Sequence, residues 1–263
     1  MPSSHVIPSI LALFMVATFA VPAYADTVAF LYALDADLET LKAGEPSNVR
    51  AINSGGTIIQ EFPVGKHKVR ATKMGAGNIE TAINTANLLG RFPADVLISV
   101  GPCGALDDAL PVKSWHRVDT VIGYQRGTFG AAGWVQAPSA RVEVYPLPDA
   151  QKIAGASSQI SLASGDAFVT NPAERERIRI LSNSNAIDMN SFGLVLVCRQ
   201  TRTPVMIWRI VSDHADATAG EDFKSFVKGY EGEGGRMVRE FLLNMPASPL
   251  SPEKYDNIRE LMR

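Results

Sequence analysis

Between residues 205 and 216 the chain reads Val205-Met206-Ile207-Trp208-Arg209-Ile210-Val211-Ser212-Asp213-His214-Ala215-Asp216. A short apolar run directly after the turn signal Thr203-Pro204 reads as a buried strand of an α/β sheet. In open sheets of that kind, ligands bind in the crevice at the carboxyl ends of the strands. Asp213 is delivered to that edge, with Arg209 four residues before it inside the strand. Two roles are open for this pair. Asp213 caps the following segment while Arg209 pairs with a neighbour, or both take part in chemistry. His214 reads as a loop residue.

The flanking sequence repeats the same pattern of apolar strands and helical segments. Thr27 to Leu34 is a continuous apolar run, followed by Asp35 as a helix N-cap and a helix to Lys42. Gly55 to Pro63 and Lys66 to Lys73 pair as strands around Val64-Gly65. After the glycine-rich turn Met74-Gly75-Ala76-Gly77-Asn78, a helix is expected over Ile79 to Leu89. Its apolar residues Ile79, Ala82, Ile83, Ala86 and Leu89 recur at helical spacing and are expected to face the core.

Further strands are expected over Ala94–Val100, Val118–Tyr124, Ile160–Ala163 and Ala186–Met189. Asn171-Pro172 opens a helix to about Leu181, with proline preset for the first helical position. Phe192 to Arg199 reads as a buried helix, and Glu221 to Asn244 as one closing helix. Arg126 to Pro148, rich in Gly, Ala and Pro, reads as a long excursion, and excursions of that length are usually functional or mobile. This alternation predicts a single α/β domain over residues 26–245, a largely parallel central mixed sheet flanked by helices. A tail with a short helix follows over residues 246–263.

The chain has 263 residues, 46% hydrophobic and 20% charged, with a formal net charge of -2, which is enough for one large core and offers no basic footprint for nucleic acid. Cys103 and Cys198 lie far apart without CxxC spacing, and the four histidines form no HxxxH pair, so no disulfide framework, metal site or cofactor is implied. Val6 to Ala20 is almost wholly apolar, about the length of a signal-peptide core and short for a membrane span. Ala23-Tyr24-Ala25 then forms an A-x-A cleavage site. Residues 1–25 are therefore expected to be a secretory signal cleaved after Ala25, giving a secreted or periplasmic protein without stable membrane association; because Met1 to His5 carries no Lys or Arg, an uncleaved anchor is the alternative.

Four segments in order carry a more specific resemblance. They are Gly75 to Leu106 (G-A-G-N, a helix, then P-A-D-V-L-I-S-V-G-P-C-G-A-L), Ser164-Gly165-Asp166-Ala167-Phe168, Ile187-Asp188-Met189-Asn190, and Arg209 to Asp216. Together they resemble the nucleoside phosphorylase superfamily, and within it the nucleosidases of 5′-methylthioadenosine and S-adenosylhomocysteine. The resemblance runs from Val28 to about Phe241.

It implies hydrolysis of an N-glycosidic bond through an oxocarbenium-like cation. Asp213 matches the acid that protonates the departing purine, and Asp37 matches the position of the water-activating base, with aspartate in place of glutamate. Arg209 matches an arginine that orients the water and the base. Phe168 and Phe223 are implied as walls for the base, with the Val169 backbone reading its edge. Met189 and Asn190 are implied on the ribose side, and Asp188, Gly101, Pro102 and Ser212 are implied as further substrate-binding residues.

Two departures from the family pattern fall on sugar recognition: Asn190 stands where glutamate is usual, and Pro102 where serine is common. Leu34-Asp35-Ala36-Asp37 replaces an arginine-bearing phosphate loop, which points to water rather than phosphate as nucleophile. A phosphorylase rescued by Arg70 or Arg126 of a neighbouring subunit, and a non-catalytic nucleoside-binding or storage protein, are the alternatives. The family usually forms homodimers, so a homodimer binding a small purine nucleoside is expected.

Overall fold

The computed structural model describes residues 26–45, 49–131, 133–144 and 156–245. The expected signal segment and the expected helix of the C-terminal tail lie outside the described residues. The first half of the chain contains β1 (Thr27–Tyr32), α1 (Asp35–Leu41), β2 (Arg50–Ser54), β3 (Thr57–Val64), β4 (His67–Lys73), α2 (Asn78–Arg91), β5 (Val96–Ala105) and β6 (Trp115–Gly123). The second half contains β7 (Gly127–Gly130), β8 (Gly133–Gln136), β9 (Arg141–Glu143), β10 (Ala156–Ser164), α3 (Pro172–Ser182), β11 (Ala186–Asp188), α4 (Ser191–Thr201), β12 (Val205–Asp213), α5 (Ala219–Gly229) and α6 (Glu233–Asn244).

The strand order is β11-β10-β6-β12-β5-β1-β4-β3-β2, and β11 also pairs back to β5. Strands β5, β12, β6, β10 and β11 therefore close on one another, which removes the open edge a twisted sheet would leave there. β1 pairs in parallel with both β4 and β5, and β5 pairs in parallel with β12. β10 is parallel to both β6 and β11. The antiparallel pairs sit at the β2–β3–β4 end, at β6–β9, and where the ring closes through β12–β6 and β11–β5. This is the expected α/β architecture with a mixed, largely parallel sheet.

One layer packs α1 and α6 on the sheet around Phe30, Leu38, Phe62, Trp208 and Val238. The other packs α2 and α4 around Leu31, Leu88, Leu97, Leu194 and Ile207. All nine residues of β12 are buried, as the apolar run predicts.

The structure corrects the sequence reading in three places. The single closing helix is two, broken between Gly229 and Glu233, because Gly232 takes φ +79 and turns the chain. Asp35 is inside α1 rather than its cap; Leu34 occupies the cap position and supplies no side-chain bond. The third correction concerns α2, which runs from Asn78 to Arg91 rather than Ile79 to Leu89 and, apart from the buried Leu89, turns its polar face inward. Asn78, Thr81 and Thr85 are buried, while Ile79 and Ile83 are 70% and 53% exposed.

The buried polar face of α2 is satisfied internally. Asn78 Oδ1 accepts from Gly193 N and Ser164 Oγ, and Thr85 Oγ1 donates to the Thr81 carbonyl. Gly193 permits the approach of α4, since a Cβ there would lie 2.1 Å from the Asn78 carbonyl oxygen.

Candidate active site

The carboxyl ends of β1, β4, β5, β11 and β12 converge on a cavity of about 320 Å³. Ala33 and Leu34 come from the end of β1, Lys73 and Met74 from β4, Pro102, Cys103 and Gly104 from β5, and Ser212 and Asp213 from β12. The Ala167-Phe168-Val169 segment after β10, the Ile187–Asn190 segment and Phe223 of α5 complete the wall. The crevice lies where parallel-sheet topology places ligand sites.

Asp213 is held there by a change of register. Val211 pairs with Cys103, but Asp213 pairs with Gly104, so the strand bulges at Ser212 and re-aims the carboxylate. Gly104 is needed beside it, because a Cβ at that position would come within 2.9 Å of Asp213 Oδ1. Ala215 N, from a residue at φ +52, donates to Asp213 Oδ1 at 2.9 Å, and Ser212 Oγ lies 2.7 Å from Oδ2. At 2% exposure the carboxylate loses most of its hydration, and this burial raises its pKa above the ordinary 3.8. The bonds from Ser212 and Ala215 work in the other direction, since both stabilise the charged form.

Across the mouth, Phe168 and Phe223 face each other at 5.5 Å between ring centroids with a 60° tilt. Phe168 is 45% exposed although it is large and apolar, so its ring is not a core residue.

Asp188 forms the opposite wall and is fully committed. Its Oδ1 accepts from Asn190 N and Ser191 N, and its Oδ2 from Ser191 Oγ and Arg209 Nε. Arg209 further donates to Ser99 Oγ, Ser191 Oγ and its own neighbour's carbonyl at Trp208. This buried ion pair, with side chains 1% exposed on both partners, fixes the 188–191 turn. Asn190 Nδ2 donates to the Gly75 carbonyl and to Thr81 Oγ1, so its side chain is fixed as well.

The structure brings Asp213, Ser212, Phe168, Val169, Phe223, Asp188, Met189, Asn190 and Pro102 to one cavity wall. Three expected residues are not part of that wall. Gly101 packs behind it, where a Cβ would meet Ala33 and Met74. Arg209 lies beneath the wall and orients Asp188 rather than Asp37.

Asp37 is the larger correction. Its Oδ1 accepts from Tyr230 Oη at 2.6 Å and Gly235 N at 3.0 Å, in the contact between α1 and α6. The geometry accounts for this: Gly235 lets α6 approach so closely that a Cβ there would sit 1.9 Å from the Asp37 carbonyl oxygen. The short aspartate side chain is captured at that contact.

Sequence reasoning passed over Lys73, Met74, Gly75, Ala76 and Cys103 as wall residues. The glycine-rich turn at 74–78 was visible only as a turn, and its place beside Asn190 depends on the parallel pairing of β1 with β4. Among the described residues, Lys73 is the only cationic one on the wall, and it is tied to Asp35 at 2.8 Å.

A family model described as Phosphorylase superfamily matches residues 27–243. The 5′-methylthioadenosine/S-adenosylhomocysteine nucleosidase of Staphylococcus aureus (strain JH9) is 29% identical over 176 residues, covering 61% of this chain and 75% of that protein. The corresponding nucleosidase of Neisseria meningitidis, solved in complex with methylthio-immucillin-A, is 27% identical with a TM-score of 0.73, over 83% of this chain and 99% of that one. Futalosine hydrolase of Helicobacter pylori strain 26695 shares the fold, with a TM-score of 0.72 at 16% identity, over 89% of this chain and 98% of that one. The family match begins at the first residue of β1, ends inside α6 and so takes in every wall of the cavity: the chain belongs to the phosphorylase superfamily.

Proposed function

We propose that the protein is a purine nucleosidase, hydrolysing the N-glycosidic bond of a methylthioadenosine- or adenosylhomocysteine-type substrate or a related nucleoside. The observation that carries this reading is Asp213, a carboxyl whose burial favours the protonated form, in one cavity with the Phe168–Phe223 pair, of which Phe168 is exposed. The purine packs against the Phe168–Phe223 pair, whose rings touch and leave no slot between them, and the sugar lies over the 188–190 turn and Met74–Ala76. The C1′–N9 bond breaks with its electron pair going to the purine, which takes the Asp213 proton. Water adds to C1′ and releases a proton to solvent, from which Asp213 is reprotonated. Positioned acid catalysis of this kind is worth roughly 10²–10⁴-fold.

Water is favoured over phosphate because Lys73, the wall's one cation, is already paired, and Arg70 is engaged by Glu61 at 2.6 Å. The test is a nucleoside panel incubated without phosphate and assayed for free base. Appearance of a sugar 1-phosphate only when phosphate is supplied would replace this reading with a phosphorylase. The displacement of Asp37 from the wall favours one second reading, a nucleoside-binding protein without turnover. In that case the panel binds but releases no base.

Two further proposals accompany the first. The protein is exported, with cleavage after Ala25, on the support of the apolar segment and the A-x-A site; N-terminal sequencing of the secreted or periplasmic protein tests it. It also acts as a homodimer, supported by the outward apolar face of α2.

A further inference from the structure

The polar groups of the cavity wall are few enough to be followed one by one. Among the described residues, the wall carries five polar side chains besides the Cys103 thiol: Lys73, Asp188, Asn190, Ser212 and Asp213. Lys73 is paired with Asp35, and Ser212 and Asp213 bond each other at the acid end. Asp188 accepts four hydrogen bonds from Asn190 N, Ser191 N, Ser191 Oγ and Arg209 Nε, which fills a carboxylate's capacity of about four.

That leaves Asn190. Its orientation is set by its neighbours: Thr81 Oγ1 donates to the Gly75 carbonyl, so both groups around the Asn190 amide act as acceptors toward it. The NH₂ must therefore point at them, and Oδ1 remains as a single neutral acceptor. Pro102 and Met74 beside it add no polar hydrogen-bonding group in their side chains.

A ribosyl edge brings two hydroxyl donors, on C2′ and C3′, and among the described side chains of the 188–190 turn Asn190 Oδ1 is the one acceptor left free to receive them. A second observation points the same way. Of the two acids that follow β1, Asp35 is paired with Lys73, and Asp37 is held by Tyr230 and Gly235 and is not on the wall, so among the described wall residues no unpaired carboxylate besides the acid Asp213 is poised to activate water. A substrate that ionises more readily at C1′ needs less help from a base. Removing the 2′-hydroxyl does this, because an electron-withdrawing oxygen next to C1′ destabilises the oxocarbenium ion.

We infer that the preferred substrates are purine 2′-deoxyribonucleosides, whose one remaining ring hydroxyl, on C3′, is received by Asn190 Oδ1. The inference rests on the nucleosidase reading for its catalytic form, but its recognition half does not. Leaving one hydroxyl donor unmet in a closed site costs about tenfold, so kcat/KM for 2′-deoxyadenosine is expected to exceed that for adenosine by about tenfold or more. Asn190→Glu supplies a second, charged acceptor and is expected to shift that ratio toward the riboside by about tenfold.

The experiment is the pair of nucleosides with the wild-type protein, assayed for released adenine, together with titration calorimetry of both on Asp213→Asn. Faster release from adenosine than from its 2′-deoxy analogue overturns the inference while leaving the nucleosidase reading standing. If neither releases base, methylthioadenosine is assayed beside them: release from it alone keeps the nucleosidase reading and overturns this inference, and release from none of the three fails the nucleosidase reading and leaves calorimetry to decide the remainder. Tighter binding of 2′-deoxyadenosine upholds the recognition assigned to Asn190; tighter binding of adenosine removes it.

Discussion

Asp213 and Ser212 are adjacent in sequence but act on one proton in opposite senses. Burial holds the Asp213 carboxyl in its protonated form to higher pH than an exposed aspartate, and Ser212 Oγ, 2.7 Å from Oδ2, pulls back toward the anion. The acid is competent only while protonated, so activity falls as pH rises through the raised pKa. Asp213→Asn is expected to lower kcat by roughly 10²–10⁴-fold with binding retained, measured by steady-state kinetics beside calorimetry. In Ser212→Ala the stabilisation of the anion is lost, the pKa rises further, and the alkaline limb moves up by roughly half to one pH unit. A limb that stays in place, or moves down, would mean that the titrating group is not Asp213. Both residues were legible in the sequence, since an apolar strand ending in Ser-Asp places its acid at a sheet edge from local pattern alone. The bulge at Ser212 that aims the carboxylate was not legible, because it depends on the register with β5.

The contact between α1 and α6 shows how element packing can take over a residue that motif position assigns elsewhere. Asp37 is fully buried, and desolvation pushes its carboxyl up to about 6 despite bonds from Tyr230 and Gly235 that favour the anion. A carboxyl whose folded pKa is raised contributes stability that is complete below about 3.8 and is lost as pH rises through about 6. Wild-type stability should therefore decline between about pH 4 and 6 by up to about 3 kcal/mol from this group. Asp37→Asn keeps an acceptor for Tyr230 and Gly235 but cannot ionise. Its Tm relative to wild type is expected to rise across that window, and a gap independent of pH would contradict the assignment. The strands and helices themselves were legible because each carries its own periodicity. The break in the closing helix and the capture of Asp37 were not, because both follow from Gly232 and Gly235 meeting a helix nearly 200 residues earlier in the chain.

At the scale of the whole molecule, the reversal of α2 is the feature that the isolated chain leaves unexplained. Ile79, Ala82, Ile83 and Ala86 form one stripe, with Ile79 and Ile83 70% and 53% exposed, while the opposite, polar face is buried on α4. Helical periodicity identifies an apolar face but not what covers it, and the sequence reading assigned that face to the core. The proposed second subunit supplies a cover. A stable dimer buries about 800 Å² on each partner, more than four small-to-medium side chains provide, so the interface must extend beyond the stripe. The N-terminus of α2 leads directly to candidates: Asn78 N donates to Asp166 and Asp166 N to Gln125, which joins this helix to the Phe168 loop and to the root of the β7–β8 hairpin. That hairpin carries Phe129 and Val135 at 83% and 62% exposure. An interface spanning the stripe and the hairpin would run past the mouth of the cavity, so assembly and activity should change together. Ile79→Lys with Ile83→Lys places two charges on the stripe without touching the core or the cavity wall. In light scattering behind size exclusion, the double variant is expected as a folded monomer where wild type is a dimer, with unchanged circular dichroism. Its KM is expected to rise more than its kcat falls, because an open mouth weakens substrate retention and leaves Asp213 in place. A monomeric wild type, or a variant that stays dimeric, would assign the exposed face of α2 to something other than a second copy of this chain.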